Sequence, residues 1–148
     1  MTTMRASATP LIVLLTAVLA FAIGRDATMA QGAQSIWDGV YTAEQATRGK
    51  AASDTSCASC HGATLEGADF GPSIAGAEFL GRWDGEKLSV LAAKVEQTMP
   101  LDSPGSLSQE AYADILAHML QASGVPAGQT ALALGSPSLE TIVVRKTK

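Results

Sequence analysis

The sequence predicts an all-α domain of three to four helices joined by loops rich in Gly and Pro. Three observations carry this. Apolar residues recur at helical spacing in two separate windows, Leu88, Leu91, Ala92, Val95 and Tyr112, Ile115, Leu116, Met119, Leu120. Thr42-Ala43-Glu44-Gln45 has the S/T-x-x-E/Q form of a capping box, which opens a further helix. The one β-branched stretch, Leu139-Glu140-Thr141-Ile142-Val143-Val144, cannot be stable as an isolated strand.

Taken in order, the 148-residue chain opens with a ten-residue segment that carries one positive charge, Arg5, then an apolar run from Leu11 to Ile23, then polar residues leading to Thr28-Met29-Ala30-Gln31. This is the order of a secretory signal peptide, with cleavage expected after Ala30. The run is short for a membrane span, which takes about 20 residues. An uncleaved leader that anchors the chain to a membrane is the alternative. Residues 31–40 read as a linker. The helix after Thr42 is expected to run to about Ser56, and Gly49 within it costs roughly 1 kcal/mol relative to Ala. A second helix crossing closely over Gly49 would offset that cost.

Residues 62–81 are rich in Gly and Ala and read as a loop around Gly71-Pro72, with Phe79, Leu80 and Trp83 needing burial. Asp84 is the expected N-cap of a helix over 86–98, which Met99-Pro100 ends because a residue before proline is driven out of the helical region. Ser108 caps the last helix, over about 109–123, and Gly124 and Pro126 stop it. Residues 129–148 form a tail that either packs on the core or awaits a partner.

From Gln31 on, the chain holds 8 Lys and Arg against 13 Asp and Glu. That balance argues against nucleic acid, provides no polybasic membrane patch, and suits a partner with a basic docking surface. Contact with a membrane is expected only if the leader is retained.

The chemistry centres on Cys57-Ala58-Ser59-Cys60-His61, the C-x-x-C-H signature of covalent haem attachment. Two cysteines three apart lie on one side of a helical turn, where both thiols meet the vinyl groups of one haem, and His61 offers a ring nitrogen to the iron. C-x-x-C also serves disulfide oxidoreductases and zinc sites. A helical context disfavours the first, and a chain whose other histidine is His118 is short of ligands for the second. A ligating imidazole usually donates its second N–H to a carbonyl, and the Gly71-Pro72 turn is a candidate source. For a sixth ligand the candidates are Met99, Met119 and His118. Met119 falls on a core stripe and His118 beside it. Met99, at a helix end before a constrained loop, is favoured, and a thioether there would raise the reduction potential relative to a histidine ligand.

Cys57-Ala58-Ser59-Cys60-His61-Gly62, Gly71-Pro72, Met99-Pro100 and the amphipathic last helix resemble a class I cytochrome c over residues 41–128. The stretch from Thr98 to Ser108, leading into Tyr112-Ala113-Asp114-Ile115-Leu116, is similar to bacterial single-haem cytochromes c that accompany quinoprotein dehydrogenases. The resemblance implies one haem c bound through thioethers of Cys57 and Cys60, with His61 and Met99 as axial ligands. It implies that the Pro72 carbonyl accepts from His61, that Gly49 lies at the crossing of first and last helices, and that Trp83 or Arg82 reaches a propionate. Two positions depart from the family, where aromatics are common: Ser53 and His118. The expected function is one-electron transfer in the periplasm to redox partner proteins, a dehydrogenase or terminal oxidase. The alternatives are a haem subunit of such a complex and, further off, a haem peroxidase or gas sensor.

Overall fold

The computed structural model describes residues 33–148. The expected leader and its cleavage site lie outside them. Five α-helices form the described chain: α1 (Ala43–Ser56), α2 (Ala58–His61), α3 (Gly76–Trp83), α4 (Leu88–Thr98) and α5 (Gln109–Ala122). Two short strands, β1 (Gln34–Ser35) and β2 (Ile142–Val143), pair in parallel, Gln34 opposite Ile142 and Ser35 opposite Val143.

Helices α1 and α5 make the platform. The Thr42 side chain accepts from the Gln45 N–H and starts α1, and the Ser108 side chain accepts from the Ala111 N–H and starts α5. A Cβ on Gly49 would overlap the carbonyl of Asp114 and sit 3.0 Å from the His118 Cβ, so only glycine lets the two backbones approach this closely. Beside the crossing, the Arg48 guanidinium grips the buried Asp114 carboxylate through two bonds, at 2.7 and 2.8 Å. The apolar face of α5, with Ile115, Leu116, Met119 and Leu120, meets Leu88, Leu91 and Ala92 of α4 in one core.

Several sequence expectations need correction. Residues 33–40 are not a free linker. Ser35 caps a 3-10 turn over Ile36–Asp38, and Ile36 and Val40 are buried in the core. Residues 76–83 are helical although Gly76 and Gly81 weaken the local signal, because burying Phe79 and Leu80 on one face outweighs the glycines. The next helix starts at Leu88 rather than 86, and Asp84 is not its N-cap. The tail takes that backbone instead: Gly85 donates to the Val144 carbonyl, Val144 donates to Glu86, and the Asp84 carboxylate accepts from the Lys146 N–H.

The tail packs on the core. Leu132, Leu139, Ile142 and Val144 are buried. The buried Gln45 amide pairs with both backbone groups of Leu132, its Nε2 donating at 2.8 Å and its Oε1 accepting at 2.8 Å. A tail with β-branched residues thus finds a sheet partner in β1, 108 positions earlier at the Gln34–Ile142 pair. No described helix is long and apolar enough to cross a membrane.

Candidate functional site

Helix α1 ends at Ser56, and Cys57 is at once its C-cap and the N-cap of the single turn α2. The Cys57 carbonyl accepts from both the Cys60 N–H at 3.1 Å and the His61 N–H at 3.0 Å. The two thiols form no disulfide, Cys57 half-buried and Cys60 exposed, and His61 is buried. Burial pushes the Cys57 thiol above its ordinary range, while the adjacent Ser53 hydroxyl works the other way.

His61 is oriented by its Nδ1, which lies 2.7 Å from the Pro72 carbonyl. With a carbonyl as the only partner, Nδ1 carries the proton, and Nε2 is left as an unprotonated donor atom. Gly71 lies flat against the ring: a Cβ there would stand 2.8 Å from Nδ1 and 2.9 Å from the Cys60 carbonyl. The loop between folds back on itself. Gly67 donates to the His61 carbonyl at 3.0 Å, and the Leu65 carbonyl accepts from Ile74 at 2.8 Å and Ala75 at 3.1 Å. Leu65 adopts φ 61°, the left-handed region, and is buried nonetheless. That conformation costs about 1 kcal/mol for a non-glycine residue and is kept because it aims the carbonyl at two N–H donors.

Met99 is held by α4 and α5. Its N–H closes the last turn of α4 on Val95 at 3.0 Å, and its carbonyl accepts from the Tyr112 hydroxyl at 2.6 Å. Trp83 is half-buried at the end of α3, where it lines an open depression of about 410 Å³ with Arg82, Glu86 and Val90. Arg82 is committed elsewhere. It donates to the Ser73 carbonyl and hydroxyl and pairs with Glu78, so it clamps the turn that contains Pro72. A reach from Arg82 to a propionate competes with those bonds.

The structure therefore brings Cys57, Cys60, His61 and Pro72 into one cluster, and positions Met99 by α5 and Trp83 by α3. Sequence reasoning missed Tyr112, Arg82 and Leu65 as positioning groups. Tyr112 carried a signal, a phenol on an otherwise aliphatic face. His118 and Met119 are core residues of α5, which makes packing their role. Among the described residues no cluster of three His, Cys, Asp or Glu side chains is gathered to hold a metal ion.

Two free thiols, an imidazole with only Nε2 available and a glycine pressed on that imidazole fit a covalently attached haem. A helical chain wrapped around such a site is a c-type cytochrome. Residues 44–119 match the family described as cytochrome c oxidase, cbb3-type, subunit III, and the chain belongs to that family. Its cofactor is one haem c on Cys57 and Cys60, and its role is haem-based electron transfer. Among solved structures the fold is similar to that of the sulfane dehydrogenase SoxCD from Paracoccus pantotrophus, with a TM-score of 0.55 and 24% identity. The match covers 73% of this chain and 61% of that one, so the chain spans less than two thirds of that relative's length. No curated protein matches the chain.

Proposed function

We propose that the protein is an exported, periplasmic one-electron carrier whose haem is six-coordinate, with His61 and Met99 as axial ligands. When bound, the haem supplies the redox change. The chain's own residues do the rest. Cys57 and Cys60 anchor the group, Pro72 and Gly71 set the azimuth of the His61 ring, and Tyr112 holds Met99. The observation that carries the reading is the 2.7 Å contact between His61 Nδ1 and the Pro72 carbonyl. It fixes the tautomer that leaves Nε2 for iron and holds the ring in orientation. Trp83 is assigned to the wall of the haem crevice near a propionate.

Such a protein exchanges electrons with redox partners and transforms no substrate of its own. Phe70 and Leu101 stand exposed at two turns, each next to a carboxylate, Asp69 and Asp102, which supports docking on a partner that is apolar and basic. A dehydrogenase of the quinoprotein kind or a terminal oxidase is the proposed partner class. A second reading is a permanent haem subunit of a dehydrogenase complex. The likeness to SoxCD favours it.

Mass spectrometry and absorption spectroscopy of the protein purified from periplasm test the proposal together. The expected mass is that of residues 31–148 plus one haem, and the ferric protein shows a thioether-to-iron charge-transfer band that Met99→Ala abolishes. A wild-type ferric spectrum without that band removes Met99 from the iron. A retained leader removes the free periplasmic carrier. Gel filtration of the native extract separates the two readings, since a free carrier elutes at its own small size.

A further inference from the structure

Met99 is the last residue held by α4, and the segment after it has little hold on the core. Residues 101–106 are exposed throughout. The Met99 carbonyl has two donors: the Tyr112 hydroxyl at 2.6 Å, and the Gly105 N–H, which is long at 3.4 Å. Tyr112 itself is rigid. It is 2% exposed, its N–H closes the first turn of α5 on Ser108 at 3.0 Å, and α5 is locked to α1 at Gly49. One phenol thus ties the peptide that carries the Met99 side chain to the closely packed pair α1 and α5.

We propose that Tyr112 is a positioning residue: its hydrogen bond to the Met99 carbonyl is a latch that keeps the thioether in the sixth iron position and keeps outside ligands out. The inference rests on Met99 as axial ligand. A chain without the latch samples a Met99-off state more often, and an external base captures the iron in that state. The apparent affinity for such a base rises with the population of the open state. Loss of one neutral hydrogen bond corresponds to a change of about three- to tenfold in that population.

The test uses the purified holoproteins of wild type, Tyr112→Phe and Met99→Ala, titrated in the ferric state with imidazole while the charge-transfer band is followed. Tyr112→Phe keeps the ring and its packing. It is expected to retain the band without imidazole, and to bind imidazole about three- to tenfold more tightly than wild type. Met99→Ala lacks the band and binds most tightly. Equal imidazole affinity in Tyr112→Phe and wild type overturns the latch, even if the variant melts at a lower temperature, because a packing role alone leaves the iron site closed. A wild type that lacks the band and binds imidazole as tightly as Met99→Ala overturns the ligand assignment itself, and that outcome is distinct from failure of the latch.

Discussion

The loop after His61 and the loop after Met99 both leave the end of a helix and both bear on a ligand of the proposed haem site, yet they are anchored differently. The first is tied to itself. Leu65, Ser73 and Ala75 are buried, Leu65 accepts two backbone bonds, Arg82 clamps Ser73, and Gly71 seats against the ring of His61. The second contributes no buried side chain between Leu101 and Ser106; it has a few local backbone bonds, and the Tyr112 hydroxyl ties it to α5. The two loops divide the labour. The ligand next to the covalent attachment is built into a rigid unit, because its position must be correct when the cofactor is joined. The proposed distant ligand has a flexible side chain, and Tyr112 fixes only the backbone that carries it.

The largest effect is expected on the rigid side, from Gly71→Ala. The added methyl meets the His61 ring and the Cys60 carbonyl, and neither can move without undoing the His61–Pro72 bond. The expected outcome is a large loss of haem-loaded protein, read as the ratio of haem absorbance to total protein, and a low-spin spectrum that weakens in what remains. Near-normal loading would mean that the His61 loop is softer than its bonds imply.

Leu65→Ala beside Leu101→Ala puts a number on the contrast between the loops. Leu65 is 1% exposed and Leu101 78% exposed. The first is expected to destabilise by about 3 kcal/mol, as a cavity in a core that cannot collapse. The second is expected to change stability by less than about 0.5 kcal/mol. Denaturant unfolding of the two variants measures both, and similar midpoints would erase the distinction.

The smallest expected effect concerns the platform that carries both loops. His118 lies at the crossing of α1 and α5, and its buried Nδ1 has no hydrogen-bond partner. Burial and then the charge of Lys50 hold it below its ordinary value of 6.5, against smaller opposing effects from Asp54 and Gln121. The folded state therefore favours the neutral ring, while the unfolded chain protonates near 6.5. Its contribution is fully present above that value and is lost as pH falls toward the depressed folded value. Melting temperatures of wild type are expected to drop between about pH 7.5 and 5 more than those of His118→Phe. Identical slopes would clear His118 of any part in acid sensitivity.

Much of the proposed site rests on signals that the sequence alone carries. C-x-x-C-H, the Gly71-Pro72 turn and Met99-Pro100 are local signals, each contained in a few residues, and the caps at Thr42 and Ser108 are local as well. The close approach at Gly49 follows from the cost of a glycine within a helix. The features that stay hidden depend on partners far along the chain. The helix over 76–83 is masked by its two glycines and exists because Phe79 and Leu80 have a core to enter. The shifted start of α4 has the same kind of cause, a backbone claimed by Val144. Tyr112 stands out as a phenol on an aliphatic face, but nothing near it in sequence says which carbonyl its hydroxyl meets.

The amino-acid sequence is therefore enough for the chemistry: which side chains can bond a haem, which imidazole comes next, and where most of the helices begin and stop. These are contact-range properties, set by steric and hydrogen-bonding rules within a turn or two of backbone. How that chemistry is held is a matter of tertiary packing. The Gln45–Leu132 pairing, the Arg82 clamp on Ser73 and the Tyr112 tether on Met99 join residues that no local rule brings together. Each exists because packing α1, α4 and α5 around one core leaves a particular carbonyl within reach of a particular donor, and a buried carbonyl without a partner costs more than the order needed to supply one.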